Sequence, residues 1–158
     1  MNRGVVRWLP VLAVVLACQP AAPVRAPQGP EFLSAPDSVM SALPFSEAVR
    51  AGDFLFVSGQ LGNVPGKMEL VPGGIDPEAT QVLANVKAVL ERHGASMDAV
   101  VKCTVFLADI KEWPAFNAIY RGAFKAHFPA RSAFASNGLA LGARVELDCT
   151  AYAPSARP

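Results

Sequence analysis

A chain of 158 residues, 52% hydrophobic and 17% charged, supports one domain with a substantial core and is too short for two comfortable ones. Fourteen basic residues face thirteen acidic ones, a balance that gives no electrostatic footprint for nucleic acid. The two histidines stand apart from each other, and no metal-ligand spacing is visible.

In chain order, the first element is "MNRGVVRWLPVLAVVLAC", where Arg3 and Arg7 precede an apolar stretch from Trp8 to Ala17. Such a stretch is too short to span a bilayer as a helix and suits the apolar region of a signal peptide. Val15-Leu16-Ala17-Cys18 resembles the lipobox of bacterial lipoproteins. The resemblance implies cleavage after residue 17 and lipidation of Cys18, and Gln19 in place of an aspartate implies sorting to the outer membrane, facing the periplasm or exterior. An ordinary secreted precursor cut near "QPAAPVRA" is the alternative. Cleavage removes Arg3 and Arg7 and no acid, leaving twelve basic residues against thirteen acidic ones and a formal charge of −1. Residues 18 to 42, rich in Pro and Ala, read as a tether between lipid and domain.

The domain is expected over residues 43 to 153, with a tail at 154 to 158. "DFLFVSGQLG", from Asp53, reads as a strand that ends in a close backbone approach at Ser58-Gly59. After a Gly/Pro-rich loop, Asp76-Pro77-Glu78 supplies helix-start chemistry, with Asp76 as the cap. Ala79, Val82, Leu83, Val86 and Leu90 then follow helical spacing until His93-Gly94. Asp98 to Asp109 alternates as a strand, with Val101, Cys103 and Val105 on one face. A second helix is predicted from Trp113-Pro114 to His127, with Phe116, Tyr120 and Phe124 on one side. Strands are predicted at Ser132 to Ala135 and Arg144 to Tyr152, the latter with Val145, Leu147, Cys149 and Ala151 on its apolar face. This order predicts an α+β sandwich, one mixed sheet with two helices on one face.

The segments "LPFSEAVRAGDFLFVSGQLG", "QVLANVKAVLERHGASMDAVVKCTVFLADIKEW", "FNAIY", "FPARSAF" and "RVELDCTAY", in this order, resemble the RidA/YjgF/YER057c/UK114 family of reactive-intermediate deaminases. The resemblance implies a chorismate-mutase-like fold, a homotrimer with clefts at subunit boundaries, no metal or organic cofactor, and hydrolysis of small 2-imino or enamino acids to 2-keto acids and ammonia. It assigns Arg131 to the substrate carboxylate, a task for which a planar fork of donors is suited and lysine is not. Asp148 falls where the family places a water-orienting glutamate. Phe45, Ser58, Gly59, Ala133 and Asn117 fall at substrate-binding positions. Phe45 stands where a tyrosine is usual, and Ala133 where many members carry cysteine.

Blander readings stand beside these. Arg131 is otherwise a surface residue or a structural pair with Glu146, and Asp148 a solvated strand residue. Asn117 and Tyr120 also fit packing or interface roles, and Trp113 a helix start. His93 fits a helix C-terminus, while His127 is near the cleft or simply ends a helix. Cys103 and Cys149 are either buried thiols or a disulfide. The functional alternative to a deaminase is a non-catalytic module that uses the same cleft for a small carboxylate or a protein. Cleavage of RNA, a role of some relatives, is opposed by the near-neutral charge and by export.

Overall fold

The last alternating run of the chain ends up inside the sheet and not at its edge. The computed structural model describes residues 29–35 and 39–154, so the segment read as a signal peptide, the expected lipidation at Cys18 and the end of the tail lie outside the described residues. Its elements are β1 (Glu31–Leu33), β2 (Ala48–Ala51), β3 (Phe54–Leu61), α1 (Ile75–Arg92), β4 (Val100–Leu107), α2 (Trp113–Ala123), β5 (Ala130–Ala135) and β6 (Val145–Tyr152). The sheet order is β1-β2-β3-β6-β4-β5. All neighbours are antiparallel except β4 and β5, whose parallel pairing requires a crossover, supplied by α2. This is the expected mixed sheet with two helices.

Alternation decides which face the helices cover. Leu55, Val57, Cys103, Val105, Leu147 and Cys149 are buried against Ala79, Val82, Val86 and Leu90 of α1 and Phe116 and Tyr120 of α2. Truncating one such side chain, Leu90→Ala for example, costs about 2–5 kcal/mol. The predicted apolar sets of α1 and β6 are buried throughout. Cys103 and Cys149 are directly opposite each other on β4 and β6 and form a disulfide.

Several boundaries differ from expectation. β1 pairs with β2, Glu31 opposite Arg50, so the sheet begins inside the stretch read as tether and well before residue 43. Periodicity cannot mark a three-residue edge strand. Helix α1 starts at Ile75 with Gly74 (φ 83°) in the cap position, which puts Asp76 in the first turn. The register of β4 against β6 slips between Val100 and Lys102. Val100 is therefore buried and Val101 exposed, although Val101 had been placed with Cys103. Helix α2 ends at Ala123, since Phe124 adopts an extended backbone (φ −115°, ψ 117°). That turn keeps the Phe124 ring 4.8 Å from that of Tyr120 and frees the chain to run alongside β4. β5 accordingly begins at Ala130, and Arg131 is a strand residue.

Candidate active site

Arg131 lies on the edge strand, its Cα paired in register with Cys103. Paired residues share a face of the sheet, and Cys103 is fully buried beneath the helices. The Arg131 side chain therefore turns toward α2. It meets one stripe of that helix, Trp113, Asn117 and Tyr120, residues brought together by helical spacing. Nη2 donates to Asn117 Oδ1 at 2.8 Å. The guanidinium carbon is 4.5 Å from the Tyr120 ring centroid and 5.0 Å from that of Trp113, within range of cation–π attraction. Nη1 is buried without a hydrogen-bond partner, as is the Tyr120 hydroxyl. Burial pushes that phenol up to about 12, against a smaller downward pull from Arg131.

Local contacts hold α2 where it can receive the arginine. Asp109 Oδ1 accepts from the Lys111 amide at 2.9 Å and closes the turn before the helix. Arg144 Nε donates to both Glu112 oxygens at 2.9 and 3.0 Å, and Nη2 lies 2.6 Å from Oε1, a bidentate grip on the first turn.

The carboxylates belong to the other face. Asp148 pairs with Thr104, and Glu146 with Phe106 and Leu61; both alternate with the buried Leu147 and Cys149. The register of β3 against β6 slips between Val57 and Gln60, and there Gly59 makes room for Glu146. A Cβ on Gly59 would stand 2.0 Å from Glu146 Oε1, so a larger residue here would push the Glu146 carboxylate aside. Burial first, and then the charge of Asp148, raise the Glu146 carboxyl above the usual range. Ser58 Oγ donates to the Ser46 carbonyl at 2.7 Å and its amide to the Glu47 carbonyl at 3.0 Å. These bonds fasten the segment that carries Phe45, whose ring is half exposed.

The candidate residues thus form two groups. Arg131 and Asn117 meet at α2, with Ala133 farther along β5 and packed against the core. Phe45, Ser58, Gly59 and Asp148 gather around the β3 slip and β6. Arg131 and Asp148 are on opposite faces with β4 between their strands, and one protomer does not bring them together. The structural pairing of Arg131 with Glu146 fails for the same reason. Among the described residues no carboxylate forms an ion pair with Arg131.

His93 Nε2 lies 2.9 Å from Glu47 Oε2 at the end of α1, and Arg92 forms an ion pair with the same carboxylate. His127 is exposed. Among the described residues no group of three or more His, Cys, Asp or Glu could hold a metal ion. The contacts of Trp113 and Tyr120 with Arg131 were not foreseen, nor was the approach of Glu146 to Gly59. The i, i+4, i+7 spacing of Trp113, Asn117 and Tyr120 was the available signal.

A family model described as Endoribonuclease L-PSP matches residues 35–153, and RidA from an Antarctic Psychrobacter shares the fold with a TM-score of 0.71 at 32% identity, covering 77% of this chain and 98% of its own. The chain belongs to the RidA/YjgF family. Among other RidA-type proteins, the goat (Capra hircus) protein named 2-iminobutanoate/2-iminopropanoate deaminase is 43% identical over 108 residues, 68% of this chain and 79% of its own length. RutC family protein UK114 of Drosophila melanogaster is 38% identical over 125 residues, 79% of this chain and 91% of its own. Imine deamination is an activity of this RidA family.

Proposed function

We propose that the protein is a hydrolytic deaminase of small 2-imino and enamino acids, working as a homotrimer on the non-cytoplasmic side of a bacterial membrane. One observation carries the reading: Arg131, a permanent cation, is held in place by a neutral amide and two aromatic faces and has no acidic partner among the described residues. A guanidinium so placed is complementary to a planar carboxylate. Water adds to the imine carbon while Asp148 orients it, takes its proton and passes it to the imine nitrogen. The C–N bond of the resulting carbinolamine then breaks as its hydroxyl proton is transferred, by way of Asp148, to the leaving amine. The products are a 2-keto acid and ammonia.

The trimer follows from the resemblance and from the split site. If Arg131 of one protomer faces Asp148 of its neighbour, the two groups share one cleft that a single protomer lacks. The bare face of the sheet exposes Phe54, Phe56, Phe134 and Tyr152, an aromatic surface suited to burial between copies. Export is supported by the leader and by the Cys103–Cys149 disulfide, since cytosolic thiols are kept reduced; anchoring at Cys18 rests on the lipobox-like Val15-Leu16-Ala17-Cys18 alone. In cells, Cys18→Ser should accumulate unprocessed precursor; normal maturation of that variant would reject the lipoprotein.

The decisive test supplies the full chain with freshly generated 2-iminobutanoate and follows ammonia and 2-keto acid. Release above the spontaneous rate, lost in Arg131→Ala, supports the deaminase. Binding of the 2-keto acid without any rate enhancement would leave the non-catalytic module, a reading that the missing hydroxyl at Phe45 and the short reach of Asp148 favour.

A further inference from the structure

We infer that Trp113, Asn117 and Tyr120 are positioning residues that lock the guanidinium of Arg131 in a single pose, so that a ligand carboxylate is taken on its Nε–Nη2 edge. The inference rests on Arg131 being the carboxylate-binding group.

A guanidinium carries five N–H donors in a rigid plane, and the structure removes some of them from use. Nη1 is sealed from solvent without a hydrogen-bond partner, beside the Tyr120 ring. Nη2 gives one hydrogen to Asn117 Oδ1. What remains is Nε–H and the second Nη2–H; with Asn117 taking the Nη2 hydrogen that points away from Nε, these are two parallel donors along one edge, and we take this as the pattern that meets both oxygens of a carboxylate. The two ring contacts, at 4.5 and 5.0 Å from the guanidinium carbon, restrict rotation of a side chain that is otherwise rich in rotamers, so binding has less conformational freedom to remove.

The choice of an amide at position 117 matters as much as its place. An amide oxygen orients Nη2 without neutralising the charge. A carboxylate at the same place would accept the same hydrogen bond and compete with the ligand for the cation. Asn117→Asp is nearly isosteric, so it separates the two possible roles of this contact. If the contact is only structural, the variant gains an Arg–Asp pair and keeps its affinity. If the contact serves to present an uncompensated cation, affinity falls while the fold is preserved.

The experiment measures calorimetric binding of 2-oxobutanoate to the full chain, together with KM and kcat for imine turnover. Asn117→Asp is expected to weaken 2-oxobutanoate binding and raise KM by at least about tenfold, with an unfolding temperature no lower than that of the parent. Trp113→Leu is expected to weaken binding about two- to fivefold through the lost cation–π contact. Tyr120→Leu should do the same, and Tyr120→Phe, which keeps the ring, should recover most of the loss. With Trp8→Phe in the background, Trp113 is the sole indole, and its emission should respond to 2-oxobutanoate. Undiminished affinity in a folded Asn117→Asp protein overturns the inference even if deamination is intact. Binding that follows this pattern without ammonia release keeps the inference and removes the deaminase. Failure of the parent protein to bind 2-oxobutanoate overturns the inference, and the deaminase falls with it when ammonia release is absent as well.

Discussion

The two halves of the candidate site are built in different ways. Around Arg131 the functional group is enclosed, with a hydrogen bond, two aromatic faces and a sealed nitrogen all acting on one guanidinium. Around Asp148 the functional groups are open: two carboxylates two residues apart on one strand, one pressed against a glycine and raised in pKa, and a half-exposed phenylalanine without a hydroxyl. The first half is committed to a single task by its surroundings. The second has room to be improved, and substitutions there should be able to raise activity where those around Arg131 only lower it.

The link between the halves is the place to strike hardest. The Cys103–Cys149 bond joins β4, on which β5 and Arg131 depend, to β6, which carries Asp148. A cross-link over a sequence separation of 46 stabilises by roughly 4 kcal/mol in the chain-entropy account. The Cys103→Ala/Cys149→Ala pair should lower the urea unfolding free energy by about that amount, and reduction of the parent protein under denaturing conditions should match it. An unchanged unfolding midpoint would show that the sheet needs no such link.

Within the enclosed half, Arg131→Ala should lower kcat/KM for imine hydrolysis by about a hundredfold or more, and Arg131→Lys should restore little, because a point charge lacks the fork. Full activity in Arg131→Ala would remove the distinction between the halves altogether. Within the open half, Asp148→Glu should raise kcat, by up to about a hundredfold if the carboxylate now stands about 1 Å too far back. Phe45→Tyr should add to that gain by returning a hydroxyl to the cleft. General damage to the fold cannot imitate a gain, and two losses at these positions would mean that the open half is already optimal.

The smallest expected effect is on pH dependence. The folded protein holds the Glu146 proton more tightly than the unfolded chain does. That contribution to stability is complete below the ordinary glutamate pKa and is lost as pH rises through the raised folded value. Glu146→Gln is neutral throughout, so its urea midpoint should exceed the parent's at neutral pH, and the gap should close on acidification. A parallel pH profile for the two proteins would assign the titration to another group.

Local periodicity and composition were enough for several features. The buried stripe of α1 from Ala79 to Leu90 and the alternation of Val145 to Ala151 depend on neighbours within a few residues, and they appear where expected. The ordered motifs likewise carried the family and its activity. Contacts between distant segments could not be read in this way. The strand read as ending in a close backbone approach at Ser58-Gly59 instead runs on to Leu61, and what crowds Gly59 is the side chain of the distant Glu146. Strand alternation tells which residues of one strand share a face; only the pairing of β4 with β5 and β6 decides that Arg131 shares its face with the disulfide and Asp148 does not. The slip between Val100 and Lys102 exchanged Val101 for Val100 in the core, because a one-residue shift reverses the face of everything beyond it. The partner of Arg131 was hidden for a related reason. Asn117 meets it only after α2 crosses from β4 to β5 and the two strands settle in parallel, so the pose of the cation is a property of that crossover, while its charge and its fork are properties of the residue alone.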